Sequence, residues 1–323
     1  MILVATMKIL VFAYIMFLSI CAQAQTKDLP ESTLSVRVGI TAPTIPLSLE
    51  PPASSNREPL LYEQNANSKF GIGADYKWMG FFVSVADVQS ELSPETYGST
   101  DYFDFQFHIY TKKWGFDLYA QDFQGYYLSN TQEVLGTECC EIREDIRSKF
   151  YGANVFYVFN PEKLSYVAAG NLTAQQISSG GSWSLYAGYG YQNFNTGSTL
   201  APASLSTDYG VLGNIEGGAF QTFVVGGGYG YTGVIAGPFF FHISAQLGLG
   251  PQYQKFSTAD FGNYDQLKSA GKATGRFALG WSGEQNFGAV QITADNTSFQ
   301  LGEELISFNS VLAFTSFGWR FDI

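Results

Sequence analysis

In the stretch DYFDFQFHIYTKKWGFDLYA (101–120), Phe103, Phe105, Phe107 and Ile109 occupy every second position, and Asp104, Gln106 and His108 stand between them. After Thr111-Lys112-Lys113 the alternation restarts, with Trp114, Phe116, Leu118 and Ala120 set against Asp117, Tyr119 and Gln121. Side chains of an extended strand point to opposite faces with period two, so this stretch reads as two strands joined by a tight turn. One face is apolar and the other polar. Such a chain can become a soluble sandwich, with the apolar face turned inward, or a membrane barrel, with it turned outward.

The second face decides between them. The alternation recurs in candidate strands at 34–41, 68–78, 80–90, 101–111, 113–126, 148–160, 164–178, 182–194, 218–235, 239–254, 270–283, 285–298 and 306–323. In the last of these, Val311, Ala313, Thr315, Phe317, Trp319, Phe321 and Ile323 share one face, and Ser316, Gly318, Arg320 and Asp322 the other. Faces of Gly, Ser, Gln and scattered charges are too small and too polar to form a sandwich core, so they line a lumen while the apolar faces meet lipid. Only 14% of residues are charged, against roughly 25% in an average soluble domain. A net charge of −11 argues against nucleic acid as a partner, because phosphate neutralisation needs clustered Lys and Arg.

The expected fold is therefore all-β: an antiparallel transmembrane barrel of about twelve strands, even-numbered like other single-chain bacterial barrels. Thirteen candidates leave one outside the wall, and 34–41 and 80–90 have the weakest patterns. Short connections at Met79-Gly80, Lys112-Lys113, 160–163 and Ala236-Gly237-Pro238 contrast with long ones at 42–67, 127–147, 195–217 and 255–269. If 42–67 and 127–147 are extracellular, strand parity puts 195–217 on the periplasmic side, where loops are short. Either a strand is missed or a periplasmic segment plugs the pore.

Lys8 precedes the apolar run ILVFAYIMFLSI and an A-x-A site at Ala22-Gln23-Ala24. Residues 1–24 are expected to be a secretory signal peptide, cleaved between Ala24 and Gln25, and residues 25–323 the barrel domain. Lipid attachment at Cys21 is disfavoured by Ile20 before it. Cys139 and Cys140, adjacent in a polar loop, offer no metal-ligand spacing. The expected location is the bacterial outer membrane, with outer-membrane lipids as the surroundings.

The blocks NSKFGIGADYKW, FDFQFHIYTKKWGFDLYAQDFQGYYL and NPEKLSYVAAGNLTAQQISSGGSW resemble an uncharacterised outer-membrane family from Bacteroidota, catalogued as a domain of unknown function. The resemblance implies a barrel and no activity. The C-terminal strand, with alternate aromatics, resembles the segment by which barrel-assembly machinery recognises its clients, which makes that machinery an expected partner.

Three constellations are candidates for function. The 112–113 turn would set His108 across from Asp117, Gln106 across from Tyr119 and Asp104 across from Gln121, as a polar patch, a proton-transfer pair or simple wall stabilisation. Asp75, Lys77, Asp104, Asp117, Arg276, Asp295, Arg320 and Asp322 are expected luminal charges, either the lining of a porin-like solute channel or a salt-bridge network. His242 and Ser244, at strand spacing and facing inward, match the base and nucleophile of membrane acyl hydrolases, without an acid to complete a triad. Glu138, Glu141, Glu144 and Asp145 form an acidic loop interleaved with Arg143 and Arg147, read as solvated rather than as a cation site. No cofactor or metal is expected. The leading expectation is a non-enzymatic barrel that passes or binds a small solute; the alternatives are a lipid-modifying hydrolase and a structural barrel acting through its loops.

Overall fold

The computed structural model describes residues 26–28, 30, 33–76, 79–88, 92–259, 262–301 and 303–323. The expected signal peptide with its Ala24/Gln25 cleavage site, and Lys77 among the expected luminal charges, lie outside the described residues. The strands are β1 (Thr26–Asp28), β2 (Thr33–Thr44), β3 (Leu47–Glu50), β4 (Leu60–Glu63), β5 (Lys69–Tyr76), β6 (Met79–Asp87), β7 (Asp101–Tyr110), β8 (Trp114–Leu128), β9 (Glu141–Val158), β10 (Ala174–Gln176), β11 (Gly180–Asn195), β12 (Ile215–Ala236), β13 (Phe239–Thr258), β14 (Gly262–Ser282), β15 (Asn286–Leu301) and β16 (Glu304–Asp322). Twelve of them form an antiparallel ring in the order β2, β5, β6, β7, β8, β9, β11, β12, β13, β14, β15, β16, which β16 closes on β2 through pairs from Val311↔Thr44 to Asp322↔Thr33.

Burial shows which face meets lipid. Along β13, Ile243, Leu247 and Leu249 are 56%, 65% and 74% exposed, whereas His242, Ser244, Gln246 and Gln252 are at most 4% exposed. An apolar outer face around a polar interior is the inverse of a soluble core, and it makes the chain an outer-membrane β-barrel. Aromatic contacts band the rim that carries Thr33 and Asp322: Trp114 on Tyr157, Trp183 on Tyr229, and Trp281 and Trp319 on Phe317. That rim also holds the tight connections 111–113, 237–238 and 283–285, and is the periplasmic one. The opposite, extracellular rim carries 45–68, 92–100, 129–140 and 196–214.

The wall strands include 34–41 and 80–90, now β2 and β6. The spurious candidate is 164–178. After β9 the chain turns into the barrel mouth, forms one helical turn at Val167–Asn171, and adds β10, whose partner is β1 and not the wall. Its side chains Leu164, Tyr166, Ala168, Ala169, Leu172 and Ala174 are buried. Removing this strand restores parity and places 195–217 on the extracellular side; the plug is periplasmic.

Strands β12, β13 and β14 run to 22, 20 and 21 residues, about twice the 9–11 that a tilted span needs. The surplus stands above the membrane as a crown. There the β3–β4 hairpin bridges β16 and β8, roofing the shorter β2, β5, β6 and β7. Ile45, Leu47, Leu60, Phe123, Phe194, Leu212, Phe220, Phe299 and Phe308 fill the crown with a dry core. Polar ties lock its loops: Tyr62 donates to the Leu200 carbonyl at 2.5 Å and Tyr209 to that of Glu58. Burial in the 196–214 loop pushes the Tyr209 phenol up to about 12.

The ladder has one break at membrane depth. β6 and β7 pair only at Met79↔Ile109, Gly80↔His108 and Phe81↔Phe107. Above that, β6 stays paired to β5 as far as Asp87↔Lys69, and β7 to β8 as far as Asp101↔Gln124, with no pairing between the two among the described residues. Unpaired backbone facing lipid costs several kcal/mol per group. A side-chain clasp caps the gap instead: Lys69 Nζ donates to the Tyr102 carbonyl at 3.2 Å and sits 4.0 Å from the Tyr102 ring centre, while Tyr102 Oη donates to the Asn67 carbonyl at 2.6 Å.

The lipid-facing assignment has a direct check. Ile243→Arg is expected to lower folding stability in lipid vesicles by about 2–4 kcal/mol, the cost of a cation near the bilayer midplane. Lys255→Arg in the crown is expected to change it by less than about 0.5 kcal/mol. Reversible urea titration in vesicles reads both.

Candidate functional site: a stoppered luminal chamber

Between the crown core and the periplasmic plug lies a chamber of about 150 Å³, whose lining includes Arg37, His108, Tyr110, Asp117, Tyr119, Asn154, Tyr166, His242, Arg276, Gln291 and Asp295. Each wall residue faces inward because it holds the polar phase of its strand. The β7–β8 register is the expected one, with His108↔Asp117, Gln106↔Tyr119 and Asp104↔Gln121.

Register does not become a proton-transfer pair. Asp117 is held from elsewhere, by Tyr110 Oη at 2.5 Å and by Arg276, which reaches across the barrel from β14 at 2.5 Å. Arg276 also donates to Gln246 at 2.8 Å. His108 stacks on Tyr110, with centroids 5.3 Å apart, and its Nε2 is buried with no hydrogen-bond partner among the described residues.

The other charges are held by ion pairs or by neutral hydrogen-bond partners. Arg37, which lines the chamber, lies 3.3 Å from Asp75, and both are fully buried. Lys272 lies 3.7 Å from Asp295 and donates to Asn154 at 3.0 Å and Tyr119 at 3.1 Å. Asp104 accepts from Gln121 at 2.8 Å and from Gln106 at 3.3 Å. Arg320 is outside the chamber: it holds the plug, donating to the carbonyls of Leu172 and Gly283 and to Ser282 Oγ. Asp322 sits at the periplasmic rim, accepting from Thr33 at 3.5 Å.

His242 Nε2 is 3.2 Å from Ser244 Oγ, and its Nδ1 is 2.9 Å from Thr232 Oγ1. The orienting group is thus a hydroxyl. The residue paired with Ser244 across β13–β14 is Arg276, a cation where a triad needs an anion to stabilise the imidazolium. Plug residues Leu164 and Tyr166 stand over the same spot, close to where a Cβ on Gly230 would touch Ser244. At the extracellular loop, Cys139 and Cys140 are bonded to each other, and Asp145 is taken by Arg143 at 2.8 Å and the Gly197 N–H at 3.0 Å. Among the described residues no three metal-ligating side chains come together.

Sequence reasoning missed Arg37 and Lys272, and it raised a periplasmic plug as one alternative without finding the segment that forms it. The two cations were visible in phase: Arg37 alternates with Val36 and Val38, and Lys272 shares a face with Thr274 and Arg276. The plug was disguised by Leu164, Tyr166 and Ala168, which alternate like a strand before the helical turn begins.

Residues 29–321 match the model of a family described as a domain of unknown function, DUF4421. A comparison of the sequence with curated proteins finds no match. Among solved structures, the chain is similar to the outer-membrane protease OmpT from Escherichia coli (TM-score 0.43, 6% identity, covering 90% of this chain and 97% of that one). It is also similar to the P. putida toluene transporter TodX (TM-score 0.29, 9% identity, 91% of each chain) and to OprG from Pseudomonas aeruginosa (TM-score 0.27, 10% identity, 93% of this chain and 99% of that one).

Removing one partner of a buried ion pair strands the other. Asp117→Asn is expected to destabilise the folded barrel by about 3–5 kcal/mol, and Asp117→Asn with Arg276→Met to recover most of it. Urea midpoints in vesicles check both; an unaffected single variant would mean that Arg276 is solvated and the chamber wet.

Proposed function

The chain belongs to the DUF4421 family, and for this member we propose a non-enzymatic, non-conducting barrel that binds a small neutral solute in its luminal chamber. The observation that supports this reading most is a polar, aromatic chamber of about 150 Å³ bounded above by Phe150 and Phe308 of the crown core and below by Tyr166, Ala169 and Gly170 of the plug. A cavity near 150 Å³ takes a molecule of about benzene's size. Tyr110, Tyr119, Tyr166, Phe150 and Phe308 offer ring faces and edges, and His108 Nε2 offers an unused polar atom. With Arg37, Lys272 and Arg276 each matched to an Asp, the chamber carries little net field to draw an ion. A cation or anion drawn to these paired groups would therefore need to break a pair to bind.

Acyl hydrolysis at Ser244 is disfavoured by the missing acid, by Arg276 beside it and by the plug over it. Ser244→Ala is expected to leave lipid composition unchanged in cells expressing the protein; loss of a hydrolysis product would reinstate the enzyme.

Mature protein in planar bilayers is expected to be electrically silent. In lipid nanodiscs, 4-fluorophenol is expected to bind with a dissociation constant of about 0.1–1 mM, or about 0.5–0.7 kcal/mol per non-hydrogen atom for an eight-atom ligand. Fluorobenzene and 4-fluorobenzoate should bind at least about tenfold more weakly, since one lacks the hydrogen bond and the other brings an uncompensated charge. Discrete conductance steps, or benzoate as the preferred ligand, would contradict this reading.

A further inference from the structure

The stoppers at both mouths leave the question of how a ligand reaches the chamber, and the β6–β7 gap supplies a route. At about 3.3 Å rise per residue and a tilt near 40°, each residue climbs about 2.5 Å along the barrel axis. The unpaired stretch of β7, Gln106 to Asp101, begins four residues above Tyr110 at the periplasmic turn and ends nine above it. It therefore lies about 10–23 Å above that turn, inside the roughly 25 Å apolar band of such barrels. The side chains flanking the gap agree: Phe81, Val83, Phe103 and Phe105 are each between 43% and 60% exposed on the lipid face.

On the inner side the gap and the chamber share their walls. Gln106 and Phe314 line the chamber, and Phe314 packs edge-on against Phe82 of β6 at 4.7 Å. The lower edge of the gap is the last backbone pair, Phe81↔Phe107, and its upper edge is the Lys69–Tyr102 clasp. A side-chain clasp can open and re-form without unzipping a ladder, whereas β2–β5, β7–β8, β9–β11 and β11–β12 are continuous backbone pairings.

We propose that the β6–β7 gap is a lateral portal through which a small, neutral molecule carrying a hydrogen-bonding group passes between the membrane and the chamber. This rests on the chamber being a binding site. The rim selects the ligand class: its lipid face is apolar from Phe81 and Val83 to Phe105 and Phe103, with Asp87 and Asp101 exposed only at its upper end, and it bears Gln106, Asp104 and Ser84 where it meets the lumen. Such a molecule partitions into lipid, satisfies unpaired backbone groups as it crosses, and leaves the ion pairs of the chamber intact. A charged solute is rejected by the bilayer before it reaches the gap.

Val83 and Phe105 face lipid on opposite sides of the gap and line neither the clasp nor the chamber, so cysteines there can staple it. In a Cys139→Ser, Cys140→Ser background, Val83→Cys with Phe105→Cys would be joined by oxidation or a short bifunctional maleimide in nanodiscs. Exchange of 4-fluorophenol would be followed by fluorine NMR saturation transfer. The stapled protein is expected to exchange the probe at least about tenfold more slowly than its unstapled form, with an equilibrium affinity unchanged within about twofold. Lys69→Met, which needs no cysteines, is expected to speed exchange severalfold by freeing the clasp. Equal exchange with and without the staple, or in wild type and Lys69→Met, would overturn the portal. Absence of bound probe in wild type and unstapled protein alike would instead overturn the chamber as a binding site.

Discussion

The whole architecture depends on the backbone's need for partners in a solvent that offers none. Hydrocarbon cannot bond N–H or C=O groups, so strands that cross it must form a ring with no free edge. That requirement selects a closed wall of twelve strands, ties β16 to β2 at the ends of the described chain, and expels 164–178 from the wall into the mouth. It also makes the incomplete β6–β7 ladder the most informative departure in the molecule. A break at lipid depth is unfavourable unless something else satisfies it, and here Lys69 and Tyr102 take part of that role.

A ring this wide then has to be filled. The crown is filled as a soluble protein would be, with aromatic and aliphatic side chains packed in a dry cluster. The membrane level is filled differently, by buried charge pairs, of which Arg276 to Asp117 reaches across the lumen between residues 159 apart in sequence. Buried ion pairs are weak evidence of net stability, because desolvation offsets most of their attraction. Their consequence is specificity: Arg276–Asp117 pins strands on opposite sides of the lumen, Arg37–Asp75 and Lys272–Asp295 pin neighbouring strands in register, and each pair removes a charge that would otherwise organise ions or water. The plug is fastened by the same logic, with Arg320 and Gln291 donating to its carbonyls at Leu172, Ala169 and Gly170. What is left is a small neutral room.

Much of the wall was legible in the sequence, because period two is a local property that survives any context. The orientation of both faces, the hairpin register that sets His108 against Asp117, and the twelve-strand ring follow from reading alternation and a two-residue turn. The plug was misread because a few alternating residues cannot be told from a strand without their partners. The partner of Asp117 was illegible for a different reason: which inward residues meet across a barrel depends on its diameter and stagger, which no local pattern encodes. Arg37 beside Asp75 depends on the register of neighbouring strands whose connection is too long to fix it. The same holds for β3 and β4, hidden in a Pro-rich stretch and defined only by the strands they bridge. Thr232, the orienting neighbour of His242, sits on the preceding strand and becomes visible only with the β12–β13 register.

The proposed function requires a chamber sealed from water on both sides of the membrane. Its most direct test is the reactivity of a single cysteine at the chamber wall, Ser310→Cys, toward a small charged thiosulfonate reagent, with Cys139 and Cys140 replaced by Ser and Ser198→Cys in the crown as the accessible reference. Ser310 lines the chamber and Ser198 lies on an extracellular loop. The account predicts rapid modification at position 198 and none at 310, from either face, over many minutes. Modification at 310 at a rate approaching that at 198 would show an aqueous path through the crown or the plug, and would contradict the account.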